Sequence, residues 1–366
     1  MTAYQTGRFA AHGLPVLIGS VPLNSHRQAL DWIFETTPEI PLWPQLPVNP
    51  REQMLPQFAE GLPCIVEEHP ESPEGRIYYD ISRPGFAEEQ LAFYEEYLAV
   101  TEDYEKLDGS RFQTSRERAA GLYLLADRLR EQTGLAAVKG QVTGPFTMLT
   151  GIKDLQGRAG YYDETIRDMV IKGVAMTAAW QTRFLTAKSG KPVLLFIDEP
   201  ALAGLGSSAF ISVTTEEIGG MINEVAEAVH LAGGLVGIHV CANTDWGLLL
   251  NSTIDILSFD AYGFFDRVAL LQDEIAAFLE RGGIIAWGGV PTSRAEDINA
   301  ETSESLVRLW ESQAGAISGA DWDKAAILRQ TLITPSCGTG SLAPELAKKV
   351  LALTRDVSMA LRASYL

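Results

Sequence analysis

The sequence predicts an α/β chain folded as a single (β/α)8 TIM barrel with an insertion after the second strand. Three observations predict it. Short runs rich in Val, Ile and Leu recur along the chain and stay apolar at successive positions, as parallel strands covered on both faces do. Longer amphipathic stretches with helix-start signals lie between them. Strand and helix alternate over most of the length, which is the order a barrel requires.

The runs that read as strands lie near 15–21, 39–45, 136–143, 192–198, 235–241, 255–261, 283–289 and 330–335. Between the second and third lies 46–135, far too long for one connection. It holds a Pro-rich stretch, a hairpin pairing Cys64–Glu67 with Arg76–Ile81, and helical sequence over about 86–132. Within it, Thr114 and Glu117 form a capping-box pattern before Leu122, Leu125 and Leu129. The next helix is expected over 161–188, with Met169, Met176, Trp180 and Phe184 along one stripe. Thr214 and Glu217 repeat the capping box before Ile218, Met221, Ile222, Val225 and Val229, and Gly233-Gly234 ends that helix. Residues 266–281, 302–316 and 344–362 complete the helices. The domain expectation is one barrel over 1–366, with 46–135 lying over its mouth.

Composition narrows the function. The chain carries 29 Lys and Arg against 47 Asp and Glu, a net charge of −18, which argues against a generally basic nucleic-acid groove. Three cysteines, Cys64, Cys241 and Cys337, are too few for a disulfide framework. The first residues show no charged segment followed by a long apolar run, and no stretch approaches the ~20 apolar residues of a membrane span. A soluble cytoplasmic protein with a small-molecule substrate, and with neither nucleic acid nor membrane as partner, is the expectation.

A barrel places its chemistry at the C-terminal ends of its strands. Those ends carry Ser20, Gln45, Gln141, Thr143, Asp198, Glu199, His239, Cys241, Asp260, Ser336 and Cys337. His239 and Cys241 are two residues apart in an extended segment, so both side chains point the same way. With Cys337 from the last strand they offer one nitrogen and two sulfurs, a donor set that favours zinc over Mg²⁺ or Ca²⁺ and leaves a tetrahedral ion one open position. The competing reading is a packed barrel histidine beside two buried thiols. Cys64, away from any strand end, reads as an inert packed thiol. Trp43 and Trp287 fall near strand ends and are candidates to line a pocket.

At this point the motifs resemble a known group. His239-Val-Cys-Ala-Asn-Thr244 and Pro335-Ser336-Cys337-Gly338 are similar to the two zinc motifs of the methionine synthase/uroporphyrinogen decarboxylase-like superfamily. They look especially like those of the corrinoid-linked methyltransferases that methylate coenzyme M and of cobalamin-independent methionine synthase. Phe196-Ile-Asp-Glu-Pro-Ala201, Ile18-Gly19-Ser20, Gly140-Gln-Val-Thr-Gly-Pro-Phe146 and Ile81-Ser82-Arg83-Pro84 also look like segments of that group, in the same order.

The resemblance implies that Zn²⁺ is held by His239, Cys241 and Cys337, with Asp260 as a candidate fourth, displaceable ligand. It implies that Ile18, Gly19 and Ser20 bind the acceptor's carboxylate and Asp198 its amino group, with Gln45 and Gln141 at the same subsite. The implied reaction is methyl transfer to a substrate thiol, homocysteine giving methionine. Two departures bear on the donor and acceptor. The N-terminal barrel that helps the methionine synthases bind folate is expected to have no counterpart, and Ala286-Trp-Gly-Gly-Val-Pro291 lacks the histidine that assists the folate leaving group. A methylcorrinoid carried by a partner protein is therefore the expected donor. Gln45 stands uncharged where a glutamate would hold an amino group, which keeps coenzyme M-type and other small thiols open as acceptors. Two other readings remain: a non-catalytic thiol- or corrinoid-binding barrel, and a metal-free uroporphyrinogen decarboxylase-like enzyme. The latter lacks the arginines that would pair with a polyacidic substrate.

Overall fold

A computed structural model describes residues 9–206, 210, 212–319 and 322–366. Residues 1–8, part of the segment read as free of a targeting signal, lie outside the described residues. Among the described residues no helix is long and apolar enough to cross a membrane.

Among the described residues nine strands follow in chain order: β1 (Ile65–Glu68), β2 (Arg76–Tyr79), β3 (Val138–Thr143), β4 (Lys153–Asp154), β5 (Val193–Asp198), β6 (Leu235–Val240), β7 (Ile256–Phe259), β8 (Ile284–Val290) and β9 (Thr331–Pro335). Six of them form one curled parallel sheet in the order β3-β5-β6-β7-β8-β9. These are the last six of the eight expected strands. The first two differ: 15–20 and 42–45 join by isolated parallel bridges, Pro15 to Ile333, Ser20 to Gln45 and Leu42 to Lys139, and form no ladder. Their prolines explain it, because Pro15, Pro41 and Pro44 bring no N–H to a ladder.

Alternation along the strands sorts the side chains. Val193, Leu195 and Ile197, with Val236, Ile238, Leu257 and Ile285, face outward into the large core shared with the helices. Leu194, Phe196, Ile256, Ile284, Ala286 and Leu332 face the other way and pack with Leu14, Val16 and Ile40 into a separate inner cluster. Continuing each inner row toward the strand's C-terminal end leads from apolar residues to Gln141, Asp198, His239 and Ser258. The same period that fills the bottom of the sheet's concavity with hydrocarbon thus delivers polar groups at its top. β8 and β9 slip register between Gly288 and Val290, an irregularity placed at that same end.

The helices settle the remaining expectations. The capping box of Thr214 and Glu217 forms at the start of Thr215–Leu231. Gly233, at φ 87°, and Gly234 close that helix by donating to the carbonyls of His230 and Val229. The box expected from Thr114 and Glu117 does not form. The helix starts at Ala120, Glu117 pairs with Arg51, and the buried Thr114 offers its carbonyl to the Tyr123 hydroxyl at 2.6 Å. The helix expected over 266–281 is two, Ala261–Val268 and Gln272–Glu280. The expected hairpin is present as β1–β2, antiparallel, and β4 joins it to make a second, three-stranded sheet.

Candidate metal and acceptor site

The site begins on β6. His239 sits one residue before the end of the strand, next to Asp198 in the ladder, and Cys241 follows two residues on. Cys337 lies two residues past the end of β9. The ligand atoms of His239, Cys241 and Cys337 all fall within 4.8 Å of one another. Residues almost a hundred positions apart are brought together because both strands point their C-terminal ends at one rim.

The histidine is oriented. Its Nδ1 meets the Ser258 hydroxyl at 2.9 Å, and Nε2 is buried with no partner. With the proton on Nδ1 donated to Ser258, the Nε2 lone pair faces the two sulfurs. A buried polar atom left without a partner is costly, and a metal ion is one way to satisfy it. Of the two thiols, Cys241 is drawn down to about 4, above all by the hydrogen bond from Cys337. Cys337, the donor of that bond, is driven upward by it. One nitrogen and two half-buried sulfurs around an unsatisfied lone pair suit a zinc ion.

Asp260 lies near enough to this trio for Cys241 and His239 to act on its charge. Its Oδ1 caps the helix Ala261–Val268 by accepting from Gly263 N at 2.8 Å, and burial raises its carboxyl to about 6. The group of ligand atoms within 4.8 Å does not include it. Asp198 is buried, with Oδ1 unpartnered; burial raises its pKa, countered first by Lys139 and then by His239. The neighbouring Glu199 has an anchoring role. It accepts from the N–H groups of Phe146 and Thr147 at 2.9 and 2.8 Å and from the Thr147 hydroxyl at 2.6 Å. Burial nevertheless lifts its carboxyl to about 7.

The proposed acceptor residues are only partly assembled with the trio. Ile18, Gly19, Ser20 and Cys337 line one small cavity. The Ser20 carbonyl accepts from both the N–H and hydroxyl of Thr339 at 3.0 Å, and its hydroxyl accepts from Gly340 N at 3.3 Å. Gln45 donates to Gln57 at 2.6 Å, and Gln141 is fully buried, donating to the Trp43 carbonyl at 3.0 Å. Both amides are therefore committed to protein partners. Trp43 and Trp287 do not line the mouth. Each is buried and donates its indole N–H to a glutamine on a covering helix, Gln181 at 2.9 Å and Gln313 at 2.7 Å.

Sequence reasoning missed Ser258, Lys139 and Thr292, whose hydroxyl meets that of the strand-end candidate Ser336 at 2.8 Å and ties the segment before Cys337 to the end of β8. A lysine inside the apolar run Val138–Thr143 was the one legible signal among them. A single serine in a strand carries none.

No known family model matches the chain, and no curated protein matches it in sequence. Solved structures do share its fold. A methyltransferase from Methanosarcina mazei superposes with a TM-score of 0.53 at 11% identity over 94% of both chains. A B12-independent methionine synthase from Shewanella sp. W3-18-1, in complex with selenomethionine, superposes with a TM-score of 0.46 at 17% identity. That match covers 66% of this chain and 66% of the synthase. The likeness to the methyltransferase, at 11% identity, is one of fold.

Proposed function

We propose that the protein is a zinc-dependent methyltransferase that methylates a substrate thiol, homocysteine to methionine, from a methylcorrinoid carried by a partner protein. The observation that carries the reading is the unpartnered, buried Nε2 of His239 facing the sulfurs of Cys241 and Cys337 at the end of a parallel sheet. We read 15–20 and 42–45 as the first two strands of a closed barrel over 1–366, with 46–135 as an insertion at its mouth. The Thr143 hydroxyl, at the end of β3, donates to the Met54 carbonyl of that insertion at 2.8 Å, which supports the placement.

A zinc ion held by His239, Cys241 and Cys337 would supply the acidity that turns an incoming thiol into a thiolate at neutral pH. Asp198, buried beside His239, supplies negative charge for an amino group on the acceptor. The segment Ile18–Ser20, tied to the loop after Cys337, supplies the place for its carboxylate. In the transfer itself the acceptor sulfur forms a bond to the methyl carbon, and the methyl–cobalt bond breaks with its electron pair remaining on cobalt(I). No proton need reach the leaving group, which agrees with the absence of a histidine in 286–291.

Elemental analysis after zinc-replete expression is expected to find about one zinc per chain, lost in Cys241→Ser and Cys337→Ser. Homocysteine with methylcobalamin, or with its carrier protein, is expected to yield methionine. A metal-free protein overturns the reading. Turnover with free methyltetrahydrofolate alone overturns the donor, and stronger competition by coenzyme M than by homocysteine overturns the acceptor.

A further inference from the structure

Lys139 is the one lysine enclosed within the sheet's concavity among the described residues, and its side chain is 1% exposed. It belongs to β3, where Pro41 accepts its backbone N–H and Leu42 is its bridge partner. Its side chain reaches past that neighbouring segment to the next one. There its ammonium donates to the Ile18 carbonyl; a second donor faces Gln141 Oε1 at 3.4 Å, and the nitrogen stands 4.6 Å from the centre of the Phe196 ring. It makes no close ion pair among the described residues, and Asp198 acts on it from further off.

A charge enclosed this way costs stability, and an apolar side chain of the same length would fill the space more cheaply. The contacts show what the charge does. The segment 15–20 is held to its neighbours by isolated bridges; the Gly19 carbonyl accepts from Gln45 N at 3.1 Å, whereas the Ile18 carbonyl meets no backbone donor among the described residues. Gly19 is boxed in: a Cβ there would lie 2.6 Å from Gln45 Oε1 and 3.2 Å from Gln141 Nε2. Lys139 grips the carbonyl immediately before that glycine and the amide immediately above it.

We propose that Lys139 is a positioning residue: its buried ammonium clasps the Ile18 carbonyl from two segments away and sets the Ile18–Ser20 segment against Gln141 for the acceptor to bind. The inference rests on the thiol-acceptor reading for its ligand, and on hydrogen bonding alone for the clasp.

The test uses the zinc-loaded full chain, wild type against Lys139→Met, with Lys139→Gln as a second variant. Three quantities are read: hydrogen–deuterium exchange of peptides within 14–21, zinc content, and homocysteine affinity with the kcat and KM of methyl transfer. The expected result is faster exchange confined to 14–21, unchanged zinc content, and an acceptor Kd and KM raised about tenfold with kcat within about twofold. Unchanged exchange over 14–21 overturns the proposal. So does faster exchange over the whole chain with loss of zinc, or failure of both variants to fold, since each makes Lys139 a general strut. A wild-type protein that binds no homocysteine refutes homocysteine as the acceptor, and the exchange over 14–21 then decides the clasp by itself.

Discussion

Replacing Ser258 by alanine removes one oxygen and tests how the histidine is aimed. Ser258 is fully buried, His239 is 4% exposed, and the bond between Oγ and Nδ1 is 2.9 Å long. Alanine leaves the ring nitrogen without a partner in a place water does not readily reach, at a cost of about 1–3 kcal/mol. Loss of the partner that fixes a metal-bound histidine typically weakens metal binding by about 10–100-fold, or roughly 1.4–2.7 kcal/mol. The two routes agree because they describe one event, the freeing of the ring to rotate and change tautomer. Zinc affinity is measured by competition with a chromogenic chelator near neutral pH, with circular dichroism to verify the fold. A Ser258→Ala protein that is folded and binds zinc within about twofold of wild type would falsify the claim that Ser258 aims Nε2 at the metal.

Two further outcomes follow from buried charge. Glu199→Gln is expected to destabilise the protein by about 1–3 kcal/mol above the pH at which the wild-type carboxyl ionises, because the new NH₂ must face one of three donors; denaturant melts check it, and an unchanged midpoint refutes it. Lys139, pulled down to about 8 by burial, releases its proton in the folded chain before the unfolded one does, near 10.5. Between those values the unfolded state binds more protons, so stability should rise with pH across that window in wild type and lose that rise in Lys139→Met. Parallel pH profiles for the two proteins would refute the assignment of the buried charge.

Much of the fold was legible because the strands of a covered parallel sheet are written as apolar runs between Gly and Pro. β5, Val193–Asp198, and β6, Leu235–Val240, are cases where composition and neighbours agree. The segments near 15–21 and 39–45 were legible as extended, but their prolines decide how they pair, and pairing is a property of two segments at once. The Thr114–Glu117 box misled because a cap is worth only about 1 kcal/mol, too little to fix a helix start against its surroundings; the helix begins at Ala120 and Glu117 turns to Arg51. At the site, His239 and Cys241 declare themselves by spacing, and Cys337 by its place after the last strand. Ser258 and Lys139 do not, since their meaning lies in what stands opposite them on neighbouring segments.

The third cysteine has a practical bearing of its own. Cys64 is wholly buried and its thiol is pushed up to about 12 by desolvation, so at neutral pH it presents almost no sulfur anion and no surface to an electrophile. Alkylating labels applied to the native protein will therefore register only the rim pair. A bound ion that shields that pair leaves the chain silent to such reagents, and reagent uptake becomes a direct gauge of occupancy without any need to remove a background cysteine.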